Sequence, residues 1–528
     1  MSVVLRGGGL TVDELVRVAR GGERVELDAA VRPRLRASRG VVEAALASGA
    51  AVYGVNTGFG KLKNRRIGAA DLAALQRHLL RSHAAGVGEA MPTDAVRAMG
   101  LLRAESLAVG VSGVREEVVD ALVALLNERI HPLVPEQGSV GASGDLAPLA
   151  HYALVLIGEG EAEHRGEWVA GGEALRRAGL APLELGPKEG LGLINGTQQS
   201  TAILALALAD AEAVLEAAVG AAAMSLEAML GSVAAMHERA VGARPHPGAT
   251  WVARRLRELT ADSALMRSHA ECDRIQDPYS LRCAPQVMGA TADGLAFAAT
   301  VVGRELGSAT DNPLVFATAG AAEPWHLRIL SSGNFHAQPV ALAADVAATA
   351  LAALGSLAER RLYRILDEGQ SGLPAFLTRQ PGLHSGLMLA QYTAAALVSE
   401  NKTLAHPASV DTIPTSAGME DHVSMAPWAA RKFRRVVENV RRVVAAEYLA
   451  AAQARDLRRP LAPGRGTAVL WEAVRRRVPV LEADRPPGPD LEALTAWIAE
   501  GGPHVALAAA GLAGERAWRA SPPEEKTR

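Results

Sequence analysis

The hydrophobic residues of the chain recur mainly at helical spacing. Leu72, Leu75, Leu79 and Leu80 lie at the spacing that places apolar residues along one face of a helix. Several longer stretches are apolar almost all round, which indicates helices buried among other helices. The pattern predicts long helices over six stretches: 199–232, 283–307, 335–366, 386–403, 426–452 and 490–511.

The N-terminal region follows a different pattern, with short elements of both kinds. Val3, Val4 and Leu5 predict a short strand, and Thr11 with Glu14 three residues later fits a capping box at the start of a helix. Alanine, leucine and valine dominate the 49% of hydrophobic residues, whereas aromatic residues make up only 4%. Because alanine and leucine favour helices, the composition also predicts a mostly helical protein.

Charge and cysteine content argue against several classes of function. The 528 residues carry a net charge of −2, so the overall balance does not indicate binding to nucleic acid or to an anionic membrane. The basic stretch 431–442 is more typical of the outer face of a bundle helix. Two cysteines, Cys272 and Cys283, are too few for a disulfide framework or a four-cysteine zinc site, and we expect no metal.

We expect no membrane span and a cytoplasmic location. Residues 1–11 lack the apolar segment of a signal peptide, and the low cysteine content suits a reducing compartment. The most apolar long stretch, 201–230, contains acidic residues at a spacing typical of a soluble bundle helix rather than a bilayer span. These acidic residues are Asp210, Glu212, Glu216 and Glu227.

A run of small residues interrupts the helical pattern at 138–149, where the sequence reads GSVGASGDLAPL. Glycines on both sides of Ala142 and Ser143 allow the backbone to fold tightly, and Asp145 is placed to cap the following helix. One chemical use of such a loop is backbone cyclisation, in which the Gly144 nitrogen attacks the Ala142 carbonyl. Loss of two waters, one of them with the Ser143 hydroxyl, then leaves an exocyclic methylene. The product is an electrophile, which none of the encoded side chains is.

Two other interpretations of the loop are a simple turn and a serine-hydrolase elbow. Small residues before a helix commonly form only a turn with an N-cap. A serine-hydrolase elbow requires Gly-x-Ser-x-Gly, and this pattern fails because Asp145 occupies the last position. The complete twelve-residue string, however, resembles the signature of the aromatic amino-acid ammonia-lyase family, in which Ala-Ser-Gly becomes 4-methylidene-imidazol-5-one (MIO). The resemblance implies that Ala142, Ser143 and Gly144 form this group and that no external cofactor is needed.

Further polar segments match the same family, although such residues taken alone are more often surface or structural ones. The segment YGVNTGFG begins with Tyr53, which by resemblance is the base that removes the substrate β-proton. An unperturbed phenol titrates near pH ~10, so this role requires cationic neighbours or hydrogen bonds that favour phenolate. Ser82 and His83 resemble the pair of the histidine-specific branch, which implies that His83 binds a substrate imidazole. Asn195, in the segment NGTQ, resembles the residue that donates to the MIO oxygen or to substrate.

The densest polar segment is RIQDPYSLRCAPQ at 274–286. By resemblance, Gln276 is a polar pocket residue and Tyr279 is a second catalytic tyrosine that assists ring formation and turnover. Arg282 fits a substrate carboxylate, because a guanidinium offers that group a bidentate pair of donors. Charged and phenolic groups packed so densely are poor core material unless they are partnered, which favours a functional interpretation.

Two segments near the end of the match complete the resemblance. In GNFH, Phe335 is implied to pack beside the MIO. In TSAGMEDHVSM, Glu420 is implied to supply a carboxylate to the imidazole side of the pocket. The family commonly has glutamine directly before this glutamate, whereas this chain has Met419, and one hydrogen-bonding side chain is therefore missing.

The resemblance covers about residues 50–450 and implies a mainly α fold with a fumarase/aspartase-like helical core. The expected architecture is an elongated bundle of long helices with a smaller mixed N-terminal domain. The predicted bounds are 1–110 for the N-terminal domain, 111–515 for the bundle and 516–528 for a polar tail. Family members are typically homotetramers whose sites draw residues from several subunits, so we expect a homotetramer.

The implied reaction is the non-oxidative elimination of ammonia from L-histidine to trans-urocanate, the first step of histidine degradation. An electrophile that bonds covalently to substrate makes removal of a poor leaving group easier. The nearest rival is a tyrosine or phenylalanine ammonia-lyase or an aminomutase of the same family, which Ser82, His83 and Glu420 disfavour. A fumarase–aspartase-type lyase is a second rival, but its flexible serine-loop signature is not found. A non-catalytic helical scaffold is the third.

Overall fold

The computed structural model describes residues 2–58, 60–272, 274–317 and 324–514. These residues form two compact units. The first unit takes its residues from 1–206, 300–344 and 407–431, and the second from 207–299, 345–406 and 432–528. The predicted tail, 516–528, lies outside the described residues, and the predicted division near residue 110 stays a prediction.

The first unit combines short helices with all the strands of the described residues. Ser2–Leu5 pairs in parallel with Arg24–Leu27, which confirms the predicted N-terminal strand. The other strands pair antiparallel: Val87–Ala90 with Pro135–Gln137, Glu161–His164 with both Ile130–Pro132 and Glu167–Ala170, and Leu314–Val315 with Ile329–Leu330. Its α-helices are Val12–Ala19, Val31–Ala47, Leu72–His83, Thr93–Ala108, Glu116–Asn127, Leu146–Leu156, Gly171–Arg177 and Glu189–Ile194.

All named elements among the described residues of the second unit are helices, joined by turns and irregular segments. Its α-helices are Glu238–Gly242, Pro247–Leu259, Ala264–Arg267, Tyr279–Arg282, Glu368–Ser371, Met388–Leu404, Arg465–Arg475, Gly488–Ala499 and Gly502–Ala509. Four longer helices contribute residues to both units, because a boundary between the units falls inside each of them. They are Gln198–Ala228, Ala284–Glu305, Gln338–Leu366 and Ala426–Leu457.

The mainly α fold with long helices is confirmed. Five of the six predicted long helices are present with ends within five residues of those predicted. The sixth prediction, 490–511, is wrong as a single helix, because the chain forms Gly488–Ala499 and Gly502–Ala509 instead. Gly501 adopts a left-handed conformation with φ +69°, which ends the first helix and allows the chain to change direction.

Local signals at the N-terminus also act as expected. The Thr11 side chain accepts a hydrogen bond from the Glu14 backbone N–H, and the Glu14 carboxylate accepts from the Thr11 N–H. This reciprocal pair satisfies two donors at the start of Val12–Ala19. The predicted capping box is therefore confirmed.

One described helix, Gln338–Leu366, has the length and apolar composition that a membrane span would need. Of its most apolar window, 56% is buried within the protein. Core helices of folded proteins pass the same test, so this feature is weak support for a membrane span.

Candidate active site

The loop of small residues precedes the helix Leu146–Leu156 and is folded tightly at two glycines. Gly141 has φ +67° and Gly144 has φ +73°, both in the left-handed region that favours glycine. A Cβ atom on Gly144 would lie 2.3 Å from the Gly196 carbonyl oxygen. The neighbouring Asp145 N–H donates to that same oxygen at 2.7 Å. Position 144 therefore has no room for a side chain.

A second segment of the first unit holds the other side of this loop. The Ser424 hydroxyl donates to the Gly141 carbonyl oxygen at 3.1 Å, and the Met425 N–H donates to the Val140 carbonyl oxygen at 2.9 Å. A Cβ on Gly141 would meet the Ser424 Oγ at 2.3 Å. Ala142 is buried, so the loop is enclosed and not a free surface turn.

The prediction that Asp145 caps its own helix is wrong. Asp145 stands at the N-cap position of Leu146–Leu156, but its side chain makes no cap hydrogen bond there. Its carboxylate instead accepts from the Ser200 N–H at 2.8 Å and from the hydroxyls of Ser200 and Ser139, each at 3.1 Å. Asp145 thus caps the long helix Gln198–Ala228, and burial raises its pKa to about 6 against the opposing effect of these donors.

Asn195 contacts the loop of small residues at 138–145, which is called the reactive loop below. It is the C-cap residue of the helix Glu189–Ile194, where the backbone becomes extended with φ −92° and ψ 102°. Its Nδ2 donates to the Ser143 carbonyl oxygen at 2.7 Å and to the Ser143 hydroxyl at 3.0 Å. Asn195 and Ser143, which lie 52 positions apart in the sequence, therefore form one hydrogen-bonded pair.

The Tyr53 segment is anchored by its apolar neighbours and by Asn56. Val52 and Val55 are buried in a core cluster with Val41 and other residues of the first unit. The Asn56 side chain accepts from the Val52 N–H at 2.7 Å and donates to the carbonyl oxygen of Ala50 at 2.8 Å. These contacts fix the backbone on both sides of Tyr53.

The electrostatic surroundings of Tyr53 oppose phenolate in the single chain. Burial is the largest cause that raises the pKa of its hydroxyl, and the negative charge of Glu420 raises it further. A hydrogen bond from the backbone of Gly60 acts in the opposite direction. Burial and Glu420 therefore both disfavour the phenolate that the proposed role of Tyr53 as a base requires.

His83 ends the helix Leu72–His83 and is partly buried. Its Nδ1 lies 2.9 Å from the Leu79 carbonyl oxygen, which can only accept, and 3.0 Å from the Ser82 hydroxyl, which itself donates to Leu79; this arrangement favours the tautomer with the proton on Nδ1. The other ring nitrogen, Nε2, is then the acceptor of the neutral imidazole. Burial lowers the pKa of His83, although the Leu79 carbonyl and Glu420 both act to raise it.

Glu420 lies in a tight turn with Thr415. The Thr415 hydroxyl donates to the Glu420 carboxylate at 2.5 Å, and the two backbones form a short antiparallel bridge. The charge of Glu420 acts on both Tyr53 and His83. Three residues from distant parts of the sequence thus come together in the first unit. Thr415 was not singled out from the sequence, and a hydroxyl five positions before the glutamate was the available signal.

Phe335 is partly buried in the segment that leads to the long helix Gln338–Leu366. Two positions later, the Ala337 side chain is 3.5 Å from the place where a Cβ on Gly141 would be. The Phe335 segment therefore lies next to the reactive loop. Met419, in contrast, is 42% exposed, and its sulfur is 4.0 Å from the Lys63 amine.

Gln276, Tyr279 and Arg282 lie in the second unit. Gln276 is exposed, and the Tyr279 side chain is 69% exposed at the start of the short helix Tyr279–Arg282. The Arg282 guanidinium lies 4.6 Å from the centre of the Tyr279 ring. Gln276 and Tyr279 line a surface cavity of the same unit together with Arg274, Arg360 and Arg364.

A group of buried charges adjoins Asn195, and sequence reasoning missed it. Lys188 and Asp311 are fully buried and joined by an ion pair of 2.6 Å. Arg103, only 1% exposed, donates to the Asn195 carbonyl oxygen at 2.8 Å. Burial lowers the pKa of Arg103 to about 10 and also lowers that of Lys188, while Asp311 opposes both shifts. A single arginine within the apolar run around Leu101 and Leu102 was the available signal.

Comparison with known proteins places the chain in one family. The family model for aromatic amino acid lyase matches residues 10–476. A histidine ammonia-lyase of Gloeobacter violaceus is 55% identical over 500 residues, which cover 94% of this chain and 96% of the relative. A histidine ammonia-lyase of Sorangium cellulosum is 52% identical, with 94% of this chain and 97% of the relative covered.

Solved structures give the same result for the fold. Histidine ammonia-lyase from Trypanosoma cruzi has a TM-score of 0.90 and 39% identity, covering 98% of this chain and 96% of that one. Tyrosine aminomutase from Streptomyces globisporus has a TM-score of 0.90 and 38% identity, covering 96% of this chain and 99% of that one. Since the family model spans most of the sequence, this chain belongs to the aromatic amino acid lyase family.

Proposed function

We propose that the protein removes ammonia from L-histidine without oxidation and releases trans-urocanate. The observation that carries this proposal is the convergence of Glu420 with His83 and Tyr53 in the first unit. The names of the relatives support the same substrate, since several at about 50% identity are histidine ammonia-lyases. A carbon–nitrogen lyase acting on an aromatic amino acid is the wider class to which the family belongs.

The imidazole ring of the substrate suits two acceptors. Because the Nδ1 proton of His83 is committed to the Leu79 carbonyl, its Nε2 is free to accept from a ring N–H. Glu420 offers carboxylate oxygens, and the Thr415 hydroxyl already holds one of them. A neutral imidazole provides one N–H donor for these acceptors and an imidazolium provides two, whereas a phenyl ring provides none. His83 and Glu420 therefore orient histidine in preference to phenylalanine.

We propose MIO, formed from Ala142, Ser143 and Gly144, as the prosthetic group. The geometry of these residues fits it: Gly144 has no room for a side chain, and Asn195 donates to the Ser143 carbonyl oxygen. Asn195 would hold the group at the carbonyl oxygen that comes from Ser143, and Ser424 would hold the adjoining Gly141. When formed, it supplies an electrophile that makes the substrate amine a better leaving group.

Tyr53 takes the β-proton in this proposal. Its raised pKa means that phenolate needs a compensating positive charge or further donors beyond the Gly60 backbone. Arg282 binds the substrate carboxylate, Gln276 lines the pocket, and Tyr279 assists ring formation and turnover. Phe335 packs beside the prosthetic group.

We further propose a homotetramer whose sites draw residues from several subunits. The exposure of Tyr279 and Gln276 supports it, because groups assigned to a pocket lie on an open surface of the single chain. A cytoplasmic location is part of the same proposal. It is supported by the two cysteines, Cys272 and Cys283, which are both free thiols.

The proposal is tested by incubating the purified protein separately with histidine, tyrosine and phenylalanine. Urocanate from histidine is the expected product, and its ultraviolet absorbance reports the rate. Coumarate or cinnamate formed faster than urocanate would contradict the substrate assignment. Absence of all three products, with an intact mass that shows no loss of two waters, would favour the non-catalytic scaffold.

A tyrosine aminomutase is the second candidate, and one observation favours it. The Streptomyces globisporus tyrosine aminomutase matches the fold with a TM-score of 0.90, as does the histidine ammonia-lyase of Trypanosoma cruzi. Such an enzyme would convert tyrosine into its β-amino isomer. Chromatography of the tyrosine incubation for a β-amino acid distinguishes this candidate, since an ammonia-lyase releases free ammonia instead.

A further inference from the structure

Arg103 is buried in the first unit with its guanidinium against the Asn195 segment. It lies on the helix Thr93–Ala108, every residue of which after Asp94 is buried. Its Nη1 donates to the Asn195 carbonyl oxygen at 2.8 Å and to the Gln198 side-chain oxygen at 3.1 Å. The Gln198 amide donates in turn to the Thr310 hydroxyl at 2.9 Å. One cation thus joins the residues on both sides of Gly196.

The charges around Arg103 do not cancel. Lys188 and Arg103 are two buried cations, and Asp311 is the buried carboxylate that acts on both. Asp311 bonds directly to Lys188. Among the described residues, Nε and Nη2 of Arg103 have no hydrogen-bond acceptor. This cluster, Arg103–Lys188–Asp311, therefore carries a net positive charge in a medium where charge acts strongly.

Gly196 lies between Arg103 and the reactive loop and is in close contact with both. A Cβ on Gly196 would lie 2.6 Å from the Arg103 Nη1. On its other side, the Gly196 carbonyl oxygen accepts from the Asp145 N–H, and a Cβ on Gly144 would lie 2.3 Å from that oxygen. The segment 195–196 is therefore packed between the arginine and the loop with no space for adjustment.

We propose that Arg103 is a positioning residue for the reaction of this site. It holds the Asn195 backbone so that the Asn195 amide stays on the Ser143 carbonyl oxygen, and it places a buried positive charge that favours electron density on that oxygen. The inference rests on the proposed function and adds a residue to its machinery. Arg103 contacts no reacting atom and acts through Asn195.

The test compares Arg103→Gln with Arg97→Gln in the full-length protein. Arg97 is a matched control, since it is buried on the same helix but donates to the carbonyl oxygens of Val18 and Leu126. At equal folded fraction, we expect Arg103→Gln to lower kcat about 10- to 100-fold, as loss of a charged hydrogen bond predicts, with KM changed less than about threefold. Arg103→Lys, which keeps the charge, recovers part of kcat.

A second readout needs no substrate. The intact mass gives the fraction of chains that have lost two waters, and we expect this fraction to be lower in Arg103→Gln than in Arg97→Gln. Equal kcat and equal mass fractions in these two variants would overturn the inference. Should Arg103→Gln fail to fold, Arg103→Lys is compared with Arg97→Lys, and a smaller loss of kcat and of the dehydrated fraction is expected in Arg103→Lys alone, because the charge is kept but the two directed hydrogen bonds are not. A wild-type protein that makes no urocanate would instead overturn the proposed function, while the mass comparison would still test Arg103.

Discussion

The candidate residues of the two units differ in how far the chain itself fixes them. In the first unit, Asn195 is bonded to Ser143 at 2.7 Å, and Glu420 accepts from Thr415 at 2.5 Å. In the second unit, Tyr279 is 69% exposed and stacks against Arg282 at the surface. Hydrogen bonds within the fold therefore prearrange the groups proposed for the electrophile and the imidazole. Tyr279, the second proposed catalytic tyrosine, instead has the exposure of an interface residue, which needs a partner surface to complete its site.

The largest effect is expected for substitution of Ser143, which is hydrogen-bonded to Asn195 in the reactive loop. Ser143→Ala removes the hydroxyl that leaves as water, so the proposed electrophile cannot form. We expect urocanate formation to fall at least about 1,000-fold, as for loss of an essential catalytic group, while circular dichroism and thermal unfolding stay close to wild type. The intact mass should match the uncyclised sequence.

Ser48→Ala is the matched control for this substitution. The Ser48 hydroxyl also belongs to the first unit, where it donates to the Ala45 carbonyl oxygen and accepts from the Ala50 N–H, and no role in the reaction is assigned to it. Its activity and its loss of two waters should equal those of wild type. Undiminished urocanate formation by Ser143→Ala would contradict the role of the loop.

The next prediction tests whether sites are shared between subunits. Arg282→Met removes the proposed carboxylate-binding group, and we expect kcat/KM to fall about 10- to 100-fold through loss of a charged hydrogen bond. Tyr53→Phe removes the proposed base. If the two residues of one site come from different subunits, coexpression of equal amounts of both variants should restore about a quarter of wild-type kcat/KM, because random mixing leaves that share of sites intact.

Arg364→Met is the control for charge at the same surface. Arg364 lines the cavity that contains Tyr279, but no role in the reaction is assigned to it, and its guanidinium donates to the Gln370 side chain. Its kcat/KM should stay near wild type. No recovery of activity in the coexpressed variants, despite mixed oligomers seen by native mass spectrometry, would contradict shared sites.

The sequence could predict the parts of the structure that depend on local patterns. Apolar periodicity places five long helices within a few residues of their observed ends, because helix formation depends on local spacing and on the burial of one face. The break at Gly501 was missed, since glycine is tolerated within an apolar helical pattern and its left-handed φ is not visible in the sequence.

Long-range polar contacts were the harder part of the prediction. Asp145 stands where a local N-cap is expected, yet its partners are Ser200 and Ser139. Arg103, Lys188 and Asp311 come from three separate segments, and although the apolar run around Arg103 indicates burial, nothing local indicates which residues it contacts. The candidate site residues came from resemblance to a family and not from periodicity, and their roles stay predictions that these experiments test.

A smaller effect is expected for the imidazole-binding residue. His83→Gln replaces the ring acceptor Nε2 with a flexible amide that no longer holds an acceptor at that place, and we expect KM for L-histidine to rise about fivefold, the value of a typical neutral hydrogen bond. The ratio of kcat/KM between wild type and His83→Gln should also depend on pH. Since burial lowers the pKa of His83 below its ordinary 6.5, Nε2 stays an acceptor at neutral pH and loses its lone pair only when the pH falls through that lowered pKa.

The measurement is the ratio of kcat/KM between wild type and His83→Gln across pH. This ratio removes the titration of the substrate's own imidazole, which affects both enzymes equally. It should be constant above pH 6.5 and fall towards unity at lower pH. His78→Gln, on an exposed position of the same helix, should show no such change. A ratio that rises as the pH falls would mean that His83 acts as a cation.

The smallest expected effect concerns the position where this chain departs from the family pattern. Met419 is 42% exposed, and its sulfur lies 4.0 Å from the Lys63 amine. Substitution at so open a position should change KM for L-histidine no more than about twofold, so Met419→Gln should behave like Leu62→Gln, a change at a nearby exposed position. A change of about tenfold in KM for Met419→Gln alone would require Met419 to be buried against substrate in the working enzyme. Met419 is open in the single chain, so such burial would mean that a neighbouring subunit covers it. Residues of the first unit would then also depend on a partner surface, as is proposed for Tyr279 in the second unit.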